Sequence, residues 1–200
     1  MMSKLYLMRH GQTLFNVLKR KQGWCDSPLT ELGREQARRA AAWFAEHDVA
    51  FDHAYSSTSE RAVDTLELVL EGIGQTELPY ERVKGLKEWN FGGFEGLTED
   101  VNPPLPYGDF YVPFGGEGEM AFRERLVTTI TALMQRPDHE CVLMASHGAA
   151  VAQFLRAQGA HAEARLRGDG RRIGNCGITV YEFDPATATF DALELINPNG

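Results

Sequence analysis

The chain has 200 residues, of which 43% are hydrophobic and 24% charged, so we expect one ordinary globular domain over residues 1–200. Its 20 basic and 28 acidic residues give a formal net charge of −8, and such a field repels nucleic acid and anionic membranes. No apolar run approaches the roughly 18 to 20 residues of a membrane span, and the first residues lack the apolar region and cleavage site of a secretory signal.

Short apolar runs and helical periodicities alternate along the chain. The apolar runs predict strands at residues 4–8, 54–55, 141–145, 178–183 and 190–195. The periodic segments predict helices at residues 30–46, 60–70 and 120–136, and a further helix ending near residue 157. Thr30 is the predicted N-cap of the first helix.

The segment 89–118 has no clear period and is rich in glycine, proline and aromatic residues. We expect a long loop there, and long loops in compact domains usually serve function. We therefore predict that this aromatic loop covers the active site as a lid.

Strands that alternate with helices favour an α/β fold. We predict a three-layer α/β/α sandwich around a mostly parallel mixed sheet of about six strands. Sheets of this kind place their chemistry beyond the carboxyl ends of the strands. His10, the hydroxyl run 56–59 and His147 all follow predicted strands, so we expect them at one edge of the sheet.

Two histidines, two arginines and one carboxylate are candidates to meet at that edge. Arg9 and Arg61 carry planar guanidinium groups that match phosphate oxygens. His10 and His147 can act as nucleophile, acid or cation, and Glu88 stands just before the aromatic loop. This set suits phosphoryl transfer through a covalent imidazole, with the carboxylate as proton donor.

Four ordered blocks carry a resemblance to a known family. They are LMRHGQT (residues 7–13) followed by Asn16, QGW (22–24) and DSPLT (26–30); SSTSERA (56–62) with Thr65; EWNFG (88–92) with EG (95–96); and SHG (146–148). In this order the blocks closely resemble the histidine phosphatase superfamily, which has the phosphoglycerate mutase-like fold, and the resemblance covers nearly the whole chain. One departure is Ser59, where the family often has leucine.

The resemblance implies a role for each matching residue. His10 would be the nucleophile that becomes phosphorylated, and Glu88 would protonate the leaving oxygen and later take a proton from water. The phosphate-binding set would comprise Arg9, Arg61 and His147, together with Asn16, Gln22 and Gly23. For the hydrolase that we favour, we expect no metal and no cofactor.

Structural roles are the alternatives for these residues. His10 and His147 can be ordinary structural residues at strand ends, Glu88 a surface carboxylate and Arg9 a salt-bridge partner. The basic residues Arg165, Arg167, Arg171 and Arg172 are predicted to form a solvated loop. The three cysteines, Cys25, Cys141 and Cys176, match neither a metal site nor a disulfide framework, so we expect a reducing, cytoplasmic location.

The leading functional hypothesis is a metal-independent phosphomonoester hydrolase that acts on a small molecule and releases inorganic phosphate. The alternatives are a cofactor-dependent phosphoglycerate mutase, a catalytically silent binding member of the family, and a metallophosphatase, which would need Asp/His clusters at ligand spacing. We expect neither a nucleic-acid nor a membrane partner, and a homodimer is allowed.

The segment 88–122 favours the phosphatase over the mutase. It contains no Lys, Arg or His but seven acidic and eight aromatic residues. If it covers the site, a second acidic group on the substrate would meet like charges, whereas an apolar or aryl leaving group would find area and stacking. Mutases of this family are also expected to be longer. Alternatively, the aromatic residues form a second small core.

Overall fold

The structure, a computed structural model, describes residues 2–168 and 170–200. Its strands are β1 (Ser3–Arg9), β2 (His53–Ser57), β3 (Tyr80–Val83), β4 (Cys141–Ser146), β5 (Ile178–Asp184) and β6 (Thr189–Ile196). Its α-helices are α1 (Leu14–Val17), α2 (Glu31–Glu46), α3 (Glu60–Gly72), α4 (Glu119–Met134), α5 (Gly148–Ala157) and α6 (Ala160–Arg167). Every predicted strand and helix is present, and β3, α1 and α6 were not predicted.

The six strands form one mixed sheet in the order β3-β2-β4-β1-β5-β6. β1, β2, β3 and β4 pair in parallel, whereas β5 and β6 pair antiparallel at one side. The predicted fold class is therefore confirmed. The strand β3 escaped prediction because it is short and lies at the sheet edge, where its residues are exposed or half-buried and show no apolar pattern.

Alternating side chains of the central strands produce the two cores of a three-layer sandwich. Leu5 and Leu7 of β1 pack on one face with apolar residues of α4, α5 and α6. Tyr6 and Met8 pack on the other face with residues of α2 and α3. The period-2 alternation of β1 buries both sides of the strand, as expected for the centre of such a sheet.

The segment 89–118 contains no α-helix or strand among its described residues, only short 3-10 turns. Its aromatic residues build a third core: Trp89, Phe91 and Tyr111 pack with Phe122 and Leu126 of α4. The alternative interpretation of this segment, a second small core, is therefore correct for these rings.

Parallel pairing sets the position of the candidate site. Arg9 is opposite Ser146 in the β1–β4 register, so His10 and His147 leave the sheet side by side. β2 ends at Ser57 on the same edge, and α3 begins there with Arg61 in its first turn. Among the described residues, no helix is both long and apolar enough to cross a membrane.

Candidate active site

His10 is a buried imidazole at the end of β1, with 3% of its surface exposed. Its Nδ1 lies 2.7 Å from the carbonyl oxygen of Gly11. Because a carbonyl oxygen can only accept, Nδ1 carries the proton and Nε2 of the neutral ring keeps its lone pair. Burial, followed by the charges of Arg61 and Arg9, holds the pKa of His10 well below its usual range. His10 is therefore a neutral imidazole whose Nε2 can act as a nucleophile.

Close backbone packing holds the turn after β1 in place. The Gly11 N–H donates to Thr65 Oγ1 at 3.0 Å. A Cβ at Gly11 would lie 2.4 Å from the Gly33 carbonyl oxygen, and one at Gly33 would lie 2.0 Å from the Gln12 carbonyl oxygen. Only glycines allow this contact between the turn and the first turn of α2, which fixes the position of His10.

Arg61 is fully buried and most of its hydrogen bonds go to one loop. Nη1 donates to Asp26 Oδ1 at 2.8 Å and to the Cys25 carbonyl oxygen at 2.9 Å, while Nη2 donates to the Gly23 carbonyl oxygen at 2.8 Å. Its buried Nε has no hydrogen-bond partner among the described residues. Arg61 thus anchors the loop through its outer nitrogens and keeps the Nε edge for an anion.

Arg9, like Arg61, is held through one of its outer nitrogens. Nη1 donates to the Ile173 carbonyl oxygen at 2.9 Å, and Nε is buried with no partner in the described part of the chain. A Cβ at Gly148 would come within 3.2 Å of Nε, so a larger residue there would crowd the guanidinium. Buried N–H donors without partners are rare in proteins, and two of them in one pocket fit an oxyanion.

His147 ends β4 and caps α5. Its Nε2 lies 2.7 Å from Ser57 Oγ, its Nδ1 is buried with no partner among the described residues, and its ring centroid is 5.3 Å from that of His10. Burial, followed by the charge of Arg61, keeps the pKa of His147 well below its usual range. If Nε2 of the neutral ring accepts a hydrogen bond from the Ser57 hydroxyl, the ring proton is on Nδ1. This Nδ1–H group can then donate to a phosphoryl oxygen.

Glu88 is a buried carboxyl at the N-terminus of α5. Oε1 accepts from the N–H groups of Trp89 at 2.9 Å and Ala150 at 3.0 Å, and Oε2 accepts from Ala149 at 3.0 Å. Burial raises the pKa of Glu88, against the opposing effect of these N–H groups and of nearby arginines. Oε2 accepts only one of these bonds, so it retains a position for a proton.

Asn16, Gln22 and Gly23 also line the pocket, together with Arg9, His10, Arg61 and Glu88. Asn16 Oδ1 accepts from the Thr13 N–H at 3.0 Å, and Gln22 Oε1 accepts from Thr13 Oγ1 at 3.0 Å. Gly23 has a φ of +59°, and a Cβ there would lie 2.2 Å from Glu95 Oε1. All eight site residues expected from the sequence therefore converge at one edge of the sheet.

Glu95 is a structural partner of the site that the sequence reasoning did not single out. Its carboxylate accepts from the N–H groups of Trp24 at 2.7 Å and Cys25 at 2.6 Å. With Arg61 it holds the loop 23–26 from two sides. The signal for Glu95 was present in the EG block, but the sequence did not show that its carboxylate contacts this loop.

The pocket is a cavity of about 360 Å³, and cationic side chains dominate its walls. The cavity is lined by six cationic residues and two acidic ones, Glu88 and Glu99. The cationic residues are Arg9, Arg20, Lys21, Arg61, Arg167 and Arg172. The expectation that a second acidic group would meet only like charges is therefore wrong. Arg9 and Arg61 belong to β1 and α3, whereas the other four cations come from the loop after α1 and from the region of α6. All of these elements are remote in sequence from the segment 88–122.

Two further expectations about this region are corrected. Arg165 and Arg167 belong to helix α6 rather than to a solvated loop, and Arg167 and Arg172 reach the pocket. Of the eight aromatic side chains proposed for the leaving group, only Phe91 and Tyr107 line this pocket. Trp89, Tyr111 and Phe122 are buried in the third core with Phe94 packed against it, whereas Phe110 and Phe114 are partly exposed to solvent.

The arrangement supplies a nucleophile, anion-binding donors and an acid without a metal ligand set. Among residues 2–168 and 170–200, no group of three or more His, Cys, Asp or Glu side chains is placed to hold a metal ion. What the site can do chemically is bind a phosphoryl group between Arg9, Arg61 and His147 and transfer it to His10.

Known proteins resemble this chain in both sequence and fold. It is 37% identical over 156 residues to a 2,3-bisphosphoglycerate-dependent phosphoglycerate mutase of Methylorubrum populi, covering 72% of this chain and 73% of the relative. Because the two covered shares are nearly equal, this chain and the relative have similar lengths. The expectation that mutases are longer is therefore wrong for this relative.

Two solved structures share the fold. A phosphoglycerate mutase of Bacillus anthracis str. Sterne superimposes with a TM-score of 0.84 at 28% identity, covering 96% of this chain and 92% of that one. An alpha-ribazole phosphatase of Shigella flexneri superimposes with a TM-score of 0.77 at 27% identity, covering 97% and 96%. Residues 5–195 match the sequence pattern of one family across nearly the whole chain. On this match the chain belongs to the histidine phosphatase superfamily (branch 1).

Proposed function

We propose that this protein is a metal-independent phosphomonoester hydrolase that works through a phosphohistidine at His10. The observation that carries the proposal is the pairing of a neutral, buried imidazole with the buried Glu88 carboxyl in one pocket. The phosphatase among the structural neighbours supports it. The three free cysteines fit the proposed reducing location.

The proposed reaction has two displacements. His10 Nε2 attacks the phosphorus atom, Glu88 gives its proton to the leaving oxygen, and an alcohol departs. Arg9, Arg61 and His147 stabilise the charge that develops on the three phosphoryl oxygens. Water then attacks the phosphohistidine while the Glu88 carboxylate takes its proton, which releases inorganic phosphate and restores the neutral imidazole.

A phosphoglycerate mutase is the second candidate, and two observations favour it. The relative from Methylorubrum populi bears that name, and the cationic wall of the pocket suits a substrate with a second acidic group. In this reaction a substrate hydroxyl, in place of water, would take the phosphoryl group from His10.

The deciding experiment measures both activities on the same preparation. Inorganic phosphate release is followed with p-nitrophenyl phosphate and a panel of phosphomonoesters. Interconversion of 3- and 2-phosphoglycerate is followed with 2,3-bisphosphoglycerate present. We expect the best ester to be hydrolysed faster than the phosphoglycerates interconvert, and the reverse order would select the mutase.

A further inference from the structure

Lys21 is a buried lysine in an aromatic cage on the wall of the active-site pocket. Only 6% of its surface is exposed. Its Nζ donates to Tyr111 Oη at 2.7 Å and lies 4.0 Å from the ring centroid of Phe91, 4.7 Å from that of Tyr111 and 5.0 Å from that of Tyr107. No carboxylate of the described residues forms an ion pair with it.

A purely structural role does not account for this charge. Burying an ammonium group is unfavourable unless an anion or strong acceptors surround it. An unbranched apolar side chain such as methionine would fill the same space between three rings without that cost. Cation–π contacts offset part of it, but no carboxylate of residues 2–168 and 170–200 pairs directly with Lys21.

The residues around Lys21 determine its charge and the polarity of its surroundings. Phe91, Tyr107 and Glu99 line the same pocket as His10. Burial lowers the pKa of Lys21 to about 8, against the raising effects of Glu99 and Glu88. At neutral pH the ammonium form predominates, so this wall of the pocket presents a positive charge inside an apolar frame.

We propose that Lys21 is a specificity-determining residue that binds a carboxylate on the substrate, at the end remote from the transferred phosphate. This rests on the proposed function of the site. A single ammonium matches a monovalent carboxylate, whereas a second phosphate would bring two negative charges to it. The aromatic rings fix the position of Nζ and exclude water, which strengthens the contact with an anion.

The test compares acids with their amides. The substrates are the phosphate monoesters of hydroxyacetic, 3-hydroxypropanoic and 4-hydroxybutanoic acid, each paired with its primary amide. Three chain lengths are used because the spacing between the two ends of the substrate decides which acid reaches Lys21. For at least one length we expect kcat/KM of the wild type to favour the acid by roughly 10- to 100-fold, as for a hydrogen bond to a charged group.

Substitutions assign this preference to Lys21. In Lys21→Met the ratio of acid to amide falls toward one at that chain length, and Lys21→Arg restores most of it. The matched control is Lys4→Met, which removes the same charge from an exposed position at the opposite end of β1 and keeps the wild-type ratio. Thermal melts of all variants check folding.

The pH dependence gives a second, independent measurement. Because Lys21 loses its proton above a pKa of about 8, the ratio of acid to amide should fall as the pH rises through that value. In Lys21→Arg the preference should persist to higher pH. If Lys21 only supports the rings, Lys21→Met lowers acid and amide turnover equally and the ratio stays unchanged, which overturns the proposal.

Binding to His10→Ala separates this proposal from the proposed function. Calorimetry with this variant and with His10→Ala/Lys21→Met measures the affinity for the same acids and amides without turnover. If p-nitrophenyl phosphate is hydrolysed but the acids have no advantage in rate or affinity, the carboxylate subsite is wrong and the hydrolase stands. If nothing is hydrolysed, the hydrolase is wrong, and the binding ratio still decides the role of Lys21.

Discussion

The two ends of the pocket are built in different ways. At the phosphate end His10, Arg61 and His147 are nearly inaccessible, and backbone carbonyls or a buried hydroxyl hold them. At the other end Arg20 and Arg172 are exposed side chains. Groups that stabilise a transition state must be preorganised, whereas groups that select a substrate need only the right charge at the right distance.

Lys21 shares features with both ends of the pocket. It is about as buried as His10 and Glu88, the proposed catalytic residues, but its neighbours are rings from the segment 89–118 rather than backbone atoms of the sheet. The segment 89–118, which directly follows Glu88, therefore shapes the proposed substrate end through Phe91 and Tyr111. The following five predictions test how strictly the proposed phosphate end depends on its residues and on their fixed geometry.

Replacing the nucleophile has the largest expected effect. His10→Ala removes the only atom proposed to form the covalent bond, so turnover of all phosphomonoesters should fall by about 10⁴-fold or more. Rapid quenching into alkaline denaturant, in which the P–N bond of a phosphohistidine survives, should trap label from ³²P-labelled substrate on the wild type and none on the variant. His161→Ala, an exposed histidine of α6, is the control and should trap normally. Label on another residue of the wild type would contradict the assignment.

Replacing the acid should affect esters according to their leaving groups. Glu88→Gln cannot donate a proton, so alkyl phosphates should lose about 10²- to 10³-fold in kcat/KM, which reports the step in which the leaving group departs, and aryl phosphates with good leaving groups about tenfold or less. Both losses are measured on one preparation. Equal losses for the two classes would exclude the acid role.

The pH profile follows from two opposite shifts. His10 must be neutral to attack, and because its pKa is well below 6.5, the rising limb lies on the acid side of that value. Glu88 must be protonated to donate, and because its pKa is raised above 4.5, activity falls only as the pH rises through this higher value. We expect a bell-shaped profile for alkyl phosphates that loses its falling limb in Glu88→Gln.

The backbone contact between α2 and the turn after His10 should have a moderate effect on stability. In Gly33→Ala the new Cβ would lie 2.0 Å from the Gln12 carbonyl oxygen, so backbone must move, at a cost of about 1 to 3 kcal/mol in unfolding free energy. Thermal denaturation measures it. Gly93→Ala, whose Cβ would meet its nearest neighbour at 3.8 Å, should change stability by about 0.5 kcal/mol or less.

Chelation should have the smallest effect. Arg9 and Arg61 supply the charge that a metal ion would otherwise supply, so EDTA should change the rate by less than about twofold. Vanadate, which mimics five-coordinate phosphorus, should inhibit under the same conditions. Strict dependence of turnover on an added divalent ion would refute the proposed mechanism.

The sequence by itself determined the fold class and which residues we propose for the phosphate end. His10 and His147 follow short apolar runs whose length favours buried strands, and parallel pairing brings such strand ends to the same edge of a sheet. Arg61 and Glu88 were found because short ordered blocks place them, and local sequence decides where a strand stops and a helix begins. These assignments depend on contacts between residues close in the chain or on the regular geometry of a sheet.

Only the tertiary structure decided what the other end of the pocket contains. The segment 88–122 has no cation, yet Lys21, Arg167 and Arg172 reach the same cavity from loops and a helix far away in sequence. Whether Trp89 and Tyr111 contact a ligand or each other also depended on packing against α4. The charge and the burial of a site depend on every helix, strand and loop that surrounds it. The pattern of one chain segment therefore cannot predict them.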